Sequence, residues 1–402
     1  MSSKSIDYEI IHLSTGHLGG AGLAARRLNQ ALNESGVKST FAALARKDFI
    51  PLEHEISIPR NSFSKYLSGA LAYLQSKLST KIFFSLISLN SLNRNILLKH
   101  TTSHNTILHI HNWFNLVNIR SILKLQRQGF HIVITLHDQR IMTGGCHYPI
   151  ECRNFEKSCS NCPLLPMGLR RIPSLILKLA GRLFLKFSPK ITFIAPSNWI
   201  LREASKSRLL RNSSVVFIPN SLGTFENNLS PTYRLHQKAS GSERTKVGIA
   251  SMDSKSYVKG GDLTGQISKL LKTRNLQFDF IYMSGFEQNA RGKEKFWESI
   301  DYLLVLSRAE NSPNVIHEAK QLGIPIIASK IGGITELLDL EYDIGIDQEN
   351  LNSSSVLHIL SGLASRQSSR DMQQKMQVKF HDYVDQSIAG HIELYQKIII
   401  SD

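Results

Sequence analysis

The segment Tyr8-Glu9-Ile10-Ile11-His12-Leu13 reads as a buried strand. It runs through Gly16, Gly19, Gly20 and Gly22 into a helix, and this alternation recurs along the chain. Leu23, Leu28 and Leu32 lie on related faces of that helix, and Gly36 stands past its end. Residues 37–44 predict a second strand, and 106–110, 132–136, 191–195 and 215–218 predict four more with helical stretches between. Short apolar strands alternating with helices call for a parallel sheet covered on both faces, an α/β class. Residues 221–244 are polar and rich in Ser, Asn and Gly, which predicts a linker. A second alternation starts at Lys246-Val247-Gly248-Ile249-Ala250 and continues through 278–283, 302–306 and 324–328. The expected organisation is a Rossmann-like domain over 1–220, the linker, and a second Rossmann-like domain over 245–371. A C-terminal helix over 372–402 is expected to pack back on the first domain. A chain of 402 residues accommodates two such domains.

Charge narrows the partners. The net charge is +16 at pH 7, and residues 1–220 carry all of the excess, the remainder being slightly acidic. A basic half points to an anionic partner, either nucleic acid or an anionic membrane surface. The basic residues are interleaved with aliphatics more than aromatics and no nucleic-acid-binding motif occurs, so nucleic acid is not expected. Residues 168–190 hold six basic residues and no acidic one. Ile172, Leu175, Ile176, Leu179, Leu183 and Phe187 share one helical face there, and Lys178, Arg182 and Lys186 another. That is the pattern of a helix lying in a membrane interface, although a core-packed helix with a solvated basic face has the same pattern. No run of 18 apolar residues occurs, and the first residues lack the apolar stretch of a signal peptide. The expected location is cytoplasmic, peripheral on the inner face of the cytoplasmic membrane.

The most informative segment is SRAENSPNVIHEAKQLGIPIIAS, residues 307–329. A strand precedes it, Asn311-Ser312-Pro313-Asn314 makes a turn, and 315–322 reads as a helix. Glu310 then sits beyond the carboxyl end of a strand, where open α/β sheets bind ligands. The helix N-terminus offers N–H groups to an anion such as a diphosphate. Glu318 lies on the first turns of that helix, and each carboxylate can accept two hydroxyl hydrogen bonds. The alternative is a pair of exposed carboxylates flanking a helix.

This segment resembles the Glu-x7-Glu motif of the retaining family 4 glycosyltransferases of the GT-B fold. Pro325, the strand that follows it, and Gly332-Gly333 before Glu336 match the continuation. The resemblance implies two Rossmann-like domains facing each other across a cleft, with a nucleotide diphosphate sugar as donor. It implies that Glu310 holds the transferred sugar, that Glu318 holds the ribose hydroxyls, and that Asn311, Ser312, Asn314 and Val315 help to bind sugar and phosphates. Lys259-Gly260 resembles the family's Lys-Gly, whose lysine contacts the diphosphate. Many members carry an arginine just after the preceding strand, where this chain reads Ala250-Ser251-Met252, and Lys255 is the candidate replacement. The turn with Gly19 and Gly20 resembles the family's Gly-Gly loop. Taken by itself it is a tight strand-to-helix turn. The stretch Leu44-Ala45-Arg46-Lys47 lacks the acidic residue of an NAD site and leaves NADP open on this motif. His137 resembles the family's strand-end histidine beside the transferred sugar. Asp138 and His111 are acceptor-side candidates.

Cys146, Cys152, Cys159 and Cys162 lie within 17 residues. Four thiolates so close either complete a structural zinc site or remain free. Their region resembles an insertion in glycosyltransferases of colanic acid and exopolysaccharide synthesis. No Asp-x-Asp motif occurs, and no catalytic metal is expected. The expected reaction transfers a hexose to a saccharide or lipid-linked saccharide acceptor in polysaccharide biosynthesis. The rival readings are a GT-B nucleotide-sugar epimerase, a pseudoenzyme that binds nucleotide without turnover, and a basic nucleic-acid-binding protein.

Overall fold

The structure, a computed structural model, describes residues 8–60, 62–79, 81–92, 105–187, 191–220, 244–251, 256–271, 278–285, 290–363 and 370–401. Lys255 and the expected linker, apart from Arg244, lie outside the described residues. The chain forms two compact units, one of Met1–Gly223 with Asp385–Asp402 and one of Thr224–Val384.

The first unit contains β1 (Glu9–Ser14), α1 (Gly19–Glu34), β2 (Ser39–Leu44), β3 (Glu55–Ile58), α2 (Ser62–Ser76), β4 (Thr106–Asn112), α3 (Ile119–Gln126), β5 (His131–Thr135), α4 (Ile172–Phe187), β6 (Ile191–Ala195), α5 (Asn198–Lys206) and β7 (Ser214–Phe217). Its seven strands are all parallel, in the order β3-β2-β1-β4-β5-β6-β7. Because the inner strands β1, β2, β4, β5 and β6 are covered on both faces, their side chains are buried almost without alternation, whereas the edge strands β3 and β7 are partly exposed. Ile10, Leu13, Phe41, Ile107, Leu108, Ile132 and Val133 are all buried. The short edge strand β3 lies outside the apolar runs that predict strands.

The second unit contains β8 (Thr245–Ile249), α6 (Gly261–Leu271), β9 (Phe278–Tyr282), α7 (Ala290–Glu298), β10 (Tyr302–Val305), α8 (Asn314–Gln321), β11 (Ile326–Ser329), α9 (Ile334–Leu337), β12 (Ile344–Ile346) and α10 (Ser353–Ser361). Its five parallel strands are ordered β12-β11-β10-β8-β9. One core forms on each face of this sheet. Phe296, Trp297, Leu303 and Ile326 lie in one, and Phe278, Leu304, Ile327 and Val356 in the other. The last helix, α11 (Arg370–Ile400), contributes Phe380 and Tyr383 to the second unit. In the first unit its Tyr395 is fully buried in a core cluster with Ile10, Ile107 and Val133.

Both sheets reverse their strand order, between β1 and β4 in the first unit and between β8 and β10 in the second. The loops leaving such neighbouring strands diverge and open a crevice beyond their carboxyl ends.

One expectation is corrected. The inward row of α4 is Leu177, Ala180 and Phe184, not the face read from the sequence. Of that face, Leu175 and Leu179 are more than half exposed, while Ile172, Ile176 and Leu183 are half-buried. The helix has apolar residues on two sides, and only the neighbouring sheet and loops decide which side is covered. No described helix is long and apolar enough to cross a membrane.

Candidate active site

In the second unit the loops after β8 and β10 are held tightly together. Gly260 has φ +73°, and a Cβ there would stand 2.1 Å from the Leu306 carbonyl oxygen, so only glycine fits. The Arg308 amide donates to the Val258 carbonyl at 2.7 Å. Its guanidinium donates to the Tyr257 carbonyl at 2.7 Å and grips Asp262 with two bonds of 2.6 and 2.8 Å. It also lies over the Tyr257 ring, 4.0 Å from the centroid. This clamp puts the Lys259 ammonium in an ion pair with Glu310.

Glu310 is buried beyond β10, and the Asn311 amide donates to its carboxylate at 3.2 Å. Its carbonyl accepts from the Gly333 amide at 3.1 Å, which ties the Gly332-Gly333 turn to the loop. The next helix, α8, begins at Asn314 behind Pro313, with no side chain capping it. Its first amides therefore form the kind of anion-receptive end that a helix dipole favours. Asn311, Asn314 and Glu318 are buried. Ser312 bonds the His317 ring at 2.8 Å, and that ring stacks on Tyr383 of α11 at 5.3 Å between centroids. The turn that carries the expected donor-binding residues is thus fixed from behind by a distant helix.

The first unit builds a different surface. The β1–β4 register pairs His12 with His109, and the two-residue period of a strand puts His111 on the same face. His137 follows β5. The His12 and His111 rings bond at 2.9 Å, and His111 bonds His137 at 3.0 Å. His109 bonds Tyr395 and Thr135, each at 2.7 Å. Burial lowers the pKa of His12 to about 3, that of His137 to about 4, and those of His109 and His111 well below the usual value. All four rings are therefore neutral near pH 7, able to donate at one nitrogen and accept at the other.

Next to them, burial works against the Asp138 carboxylate, but His147 at 2.6 Å and the Arg140 amide at 2.8 Å hold its pKa below the ordinary value. A pocket lined by Ala21, His111, Trp113, His137, Asp138 and Arg140 brings the expected acceptor-side residues together beside the start of α1. The turn before α1 is close-packed, since a Cβ on Gly22 would meet the Gly16 carbonyl oxygen at 2.2 Å. Gly19 has φ +80°, and both Gly19 and Gly20 face open space. Leu18 stands at the N-cap of α1 without a capping side chain.

Residues that the sequence reading passed over also shape these surfaces. Tyr257, Asp262 and Arg308 form the clamp, and His12, Trp113, Arg140 and His147 support the first pocket. The two-residue spacing of His109 and His111 on an apolar strand was a usable signal for the ladder. Nothing local joins Arg308 to Asp262, which are brought together by strand order. The four cysteines are free of disulfides and line one small cavity.

No family model matches this chain. It is 22% identical over 283 residues to WcaC of Escherichia coli strain K12, named for a glycosyl transferase of colanic acid biosynthesis. That match covers 62% of this chain and 66% of WcaC, just under two thirds of the relative. Among solved structures, sucrose-phosphate synthase from Thermosynechococcus elongatus superposes with a TM-score of 0.62 at 13% identity, covering 98% of this chain and all of that one. HepE of Anabaena, solved with UDP and glucose, gives 0.59 at 15% identity with 98% and 100% covered. A glycosyltransferase from Rickettsia africae gives 0.57 at 13% identity with 98% of each chain covered. The fold is GT-B. The resemblance to glycosyltransferases read from the motifs thus has counterparts in a sequence relative and in solved structures.

Proposed function

We propose that this chain is a retaining glycosyltransferase that moves a hexose from a nucleotide diphosphate sugar to a saccharide acceptor, lipid-linked, in bacterial exopolysaccharide or cell-surface polysaccharide synthesis. The observation that carries the reading is the buried Glu310 paired with Lys259 at the strand-order reversal, directly before an uncapped helix that bears Glu318. The named activity of WcaC and the UDP and glucose bound by HepE support it.

In this reading the donor lies on the second unit. Glu310 accepts hydrogen bonds from sugar hydroxyls, and Glu318 accepts them from the ribose. The diphosphate draws Lys259 away from Glu310, and the amides from Asn311 to Val315 complete its cradle. Fixed donors aimed at the departing diphosphate lower the barrier where charge develops. Gly19 and Gly20 let the start of α1 approach the phosphates closely. Neutral His137 donates to a hydroxyl of the transferred sugar, while Asp138 and His111 face the acceptor. No carboxylate is assigned as a covalent nucleophile, so the acceptor hydroxyl attacks from the leaving-group face, with retention. No catalytic metal is assigned.

An anionic membrane surface as partner is supported by α2. Its inward residues include Ser68 and Gln75, whereas Phe63, Tyr66, Tyr73 and Leu74 are 61–82% exposed. Lys65, Lys77 and Lys81 are exposed beside them, and no acidic residue occurs from 56 to 137. Aromatic and aliphatic side chains outward with lysines alongside suit an anionic bilayer interface. The exposed Leu175, Lys178, Leu179 and Arg182 of α4 have the same chemistry. The pair Phe63→Ser and Tyr66→Ser should abolish sedimentation with anionic vesicles, and unchanged sedimentation would remove this partner from the reading.

The primary test is thermal stabilisation by UDP, GDP, ADP, CMP and their sugar conjugates. A ligand of the folded state raises its melting temperature. Stabilisation by one nucleoside diphosphate, lost in Glu318→Ala, is expected. No shift with any of them would overturn the donor assignment. Sugar epimerisation without an acceptor would favour the epimerase.

A further inference from the structure

The cysteine-bearing loop lies outside the groups assigned to transfer. Cys146, Cys159 and Cys162 are buried and Cys152 is half-buried, and all four line one cavity walled by Phe84, Pro149, Phe155, Leu164 and Pro173. We infer that this cavity is a structural zinc site in which the four sulfurs bind one ion and fasten the loop of residues 144–173 to the first unit.

Two observations support this. First, four cysteines spread over 17 residues all reach one small cavity whose other walls are largely apolar. Second, the Cys159-Ser160-Asn161-Cys162 turn holds Cys159 and Asn161 at φ 49°, the left-handed region that costs non-glycine residues energy. Such a conformation suits a turn that must wrap around an ion. Gly144 and Gly145 fit the loop tightly, as a Cβ on Gly144 would meet the Pro173 carbonyl oxygen at 2.2 Å. Zinc bound by four thiolates releases four protons from four thiols.

The sulfurs do not meet the mutual distance of 4.8 Å that His12, His109 and His111 meet among the described residues. Zn–S bonds of about 2.3 Å would draw them to about 3.8 Å from one another, so the ion itself closes the set. The histidine trio is the poorer site despite its spacing. Both nitrogens of His109 and of His111 are engaged in hydrogen bonds, which metal binding would have to break.

The test is metal content of the full chain as purified without chelator. One zinc per chain is expected. Its removal by a chelator should free four titratable thiols and lower the melting temperature, and cobalt added to that reduced protein should give the visible bands of a tetrahedral thiolate site. Cys159→Ser and Cys162→Ser should each lose the zinc. Wild-type protein without zinc and without cobalt bands, or with disulfides among these four cysteines by mass spectrometry, would overturn the inference. Those wild-type measurements decide the matter even if the variants fail to fold.

Discussion

Both units carry their candidate site residues on or just beyond strands near the point where the strand order reverses, but the electrostatics of the two differ. The first unit lines this region with rings that burial keeps neutral, His12, His111 and His137, joined ring to ring. The second uses full charges, Lys259 on Glu310 and Arg308 on Asp262. Neutral donors and acceptors suit sugar hydroxyls, which carry no charge. A diphosphate leaving group needs cations and amides, and a carboxylate beside the lysine keeps that cation placed while the site is empty. In the proposed reaction the same crevice architecture would thus serve two chemistries, according to whether its groups are ionised.

The sharpest way to break this division is to remove one charge. Glu310→Gln keeps the shape of the side chain and should lower turnover by roughly 100- to 1,000-fold, the scale of a lost transition-state interaction. Circular dichroism and the melting temperature should stay close to wild type. His137→Gln, which still donates to a hydroxyl, should cost about tenfold, the scale of one net hydrogen bond. If the histidine change costs as much as the glutamate change, the assignment of charge to one unit and neutrality to the other fails.

The next effect concerns affinity. Lys259→Met should weaken binding of a nucleoside diphosphate by about 10- to 100-fold, the range of a charge-assisted hydrogen bond, and leave the free nucleoside unaffected. Isothermal titration with both ligands reads the difference. Equal losses for both would mean that the lysine supports the fold of the loop and not the diphosphate. Gly260→Ala provides the structural control. Its Cβ would collide with the Leu306 carbonyl, so it should loosen the clamp and lower the melting temperature, which Lys259→Met should not do.

Much of this arrangement was legible in the sequence because it rests on local patterns. Ten of the twelve strands announce themselves as short apolar runs, β3 and β12 being the exceptions, and Glu310, Glu318 and Lys259 stand at strand-to-helix junctions that the pattern locates. What was not legible depends on long-range packing. Arg308 reaches Asp262 because β8 and β10 are neighbours, and 46 residues separate the pair. The helix α4 shows apolar residues on two sides, and no periodicity says which side the sheet covers. In α2 the inward side chains are small or polar, with Gln75 bonding the Ile87 backbone, so hydrophobicity alone would turn that helix the wrong way round.

The smallest effect expected is also the most specific to the first unit. The folded-state pKa values of His12, His137 and His391 are about 3, 4 and 4, against about 6.5 for a free imidazole, with burial the largest cause of each shift. Between pH 6.5 and 4 the unfolded chain therefore binds protons that the folded chain refuses. Stability must fall as the pH drops through that window and must be flat with respect to these groups above it. Each such histidine contributes a slope of up to about 1.4 kcal/mol per pH unit. The carboxylates with lowered pKa, Asp138, Asp262 and Asp339, act in the same direction but only from near 4 downward, where their unfolded forms begin to take up protons. Urea unfolding at pH 7.5, 6 and 5 separates the two sets. Stability should decline steadily across those points, and His391→Gln should flatten the decline by about one histidine's share. An unchanged slope in that variant would mean that His391 takes up its proton in the folded protein as it does in the unfolded chain, so that burial beside His109 does not hold this ring neutral.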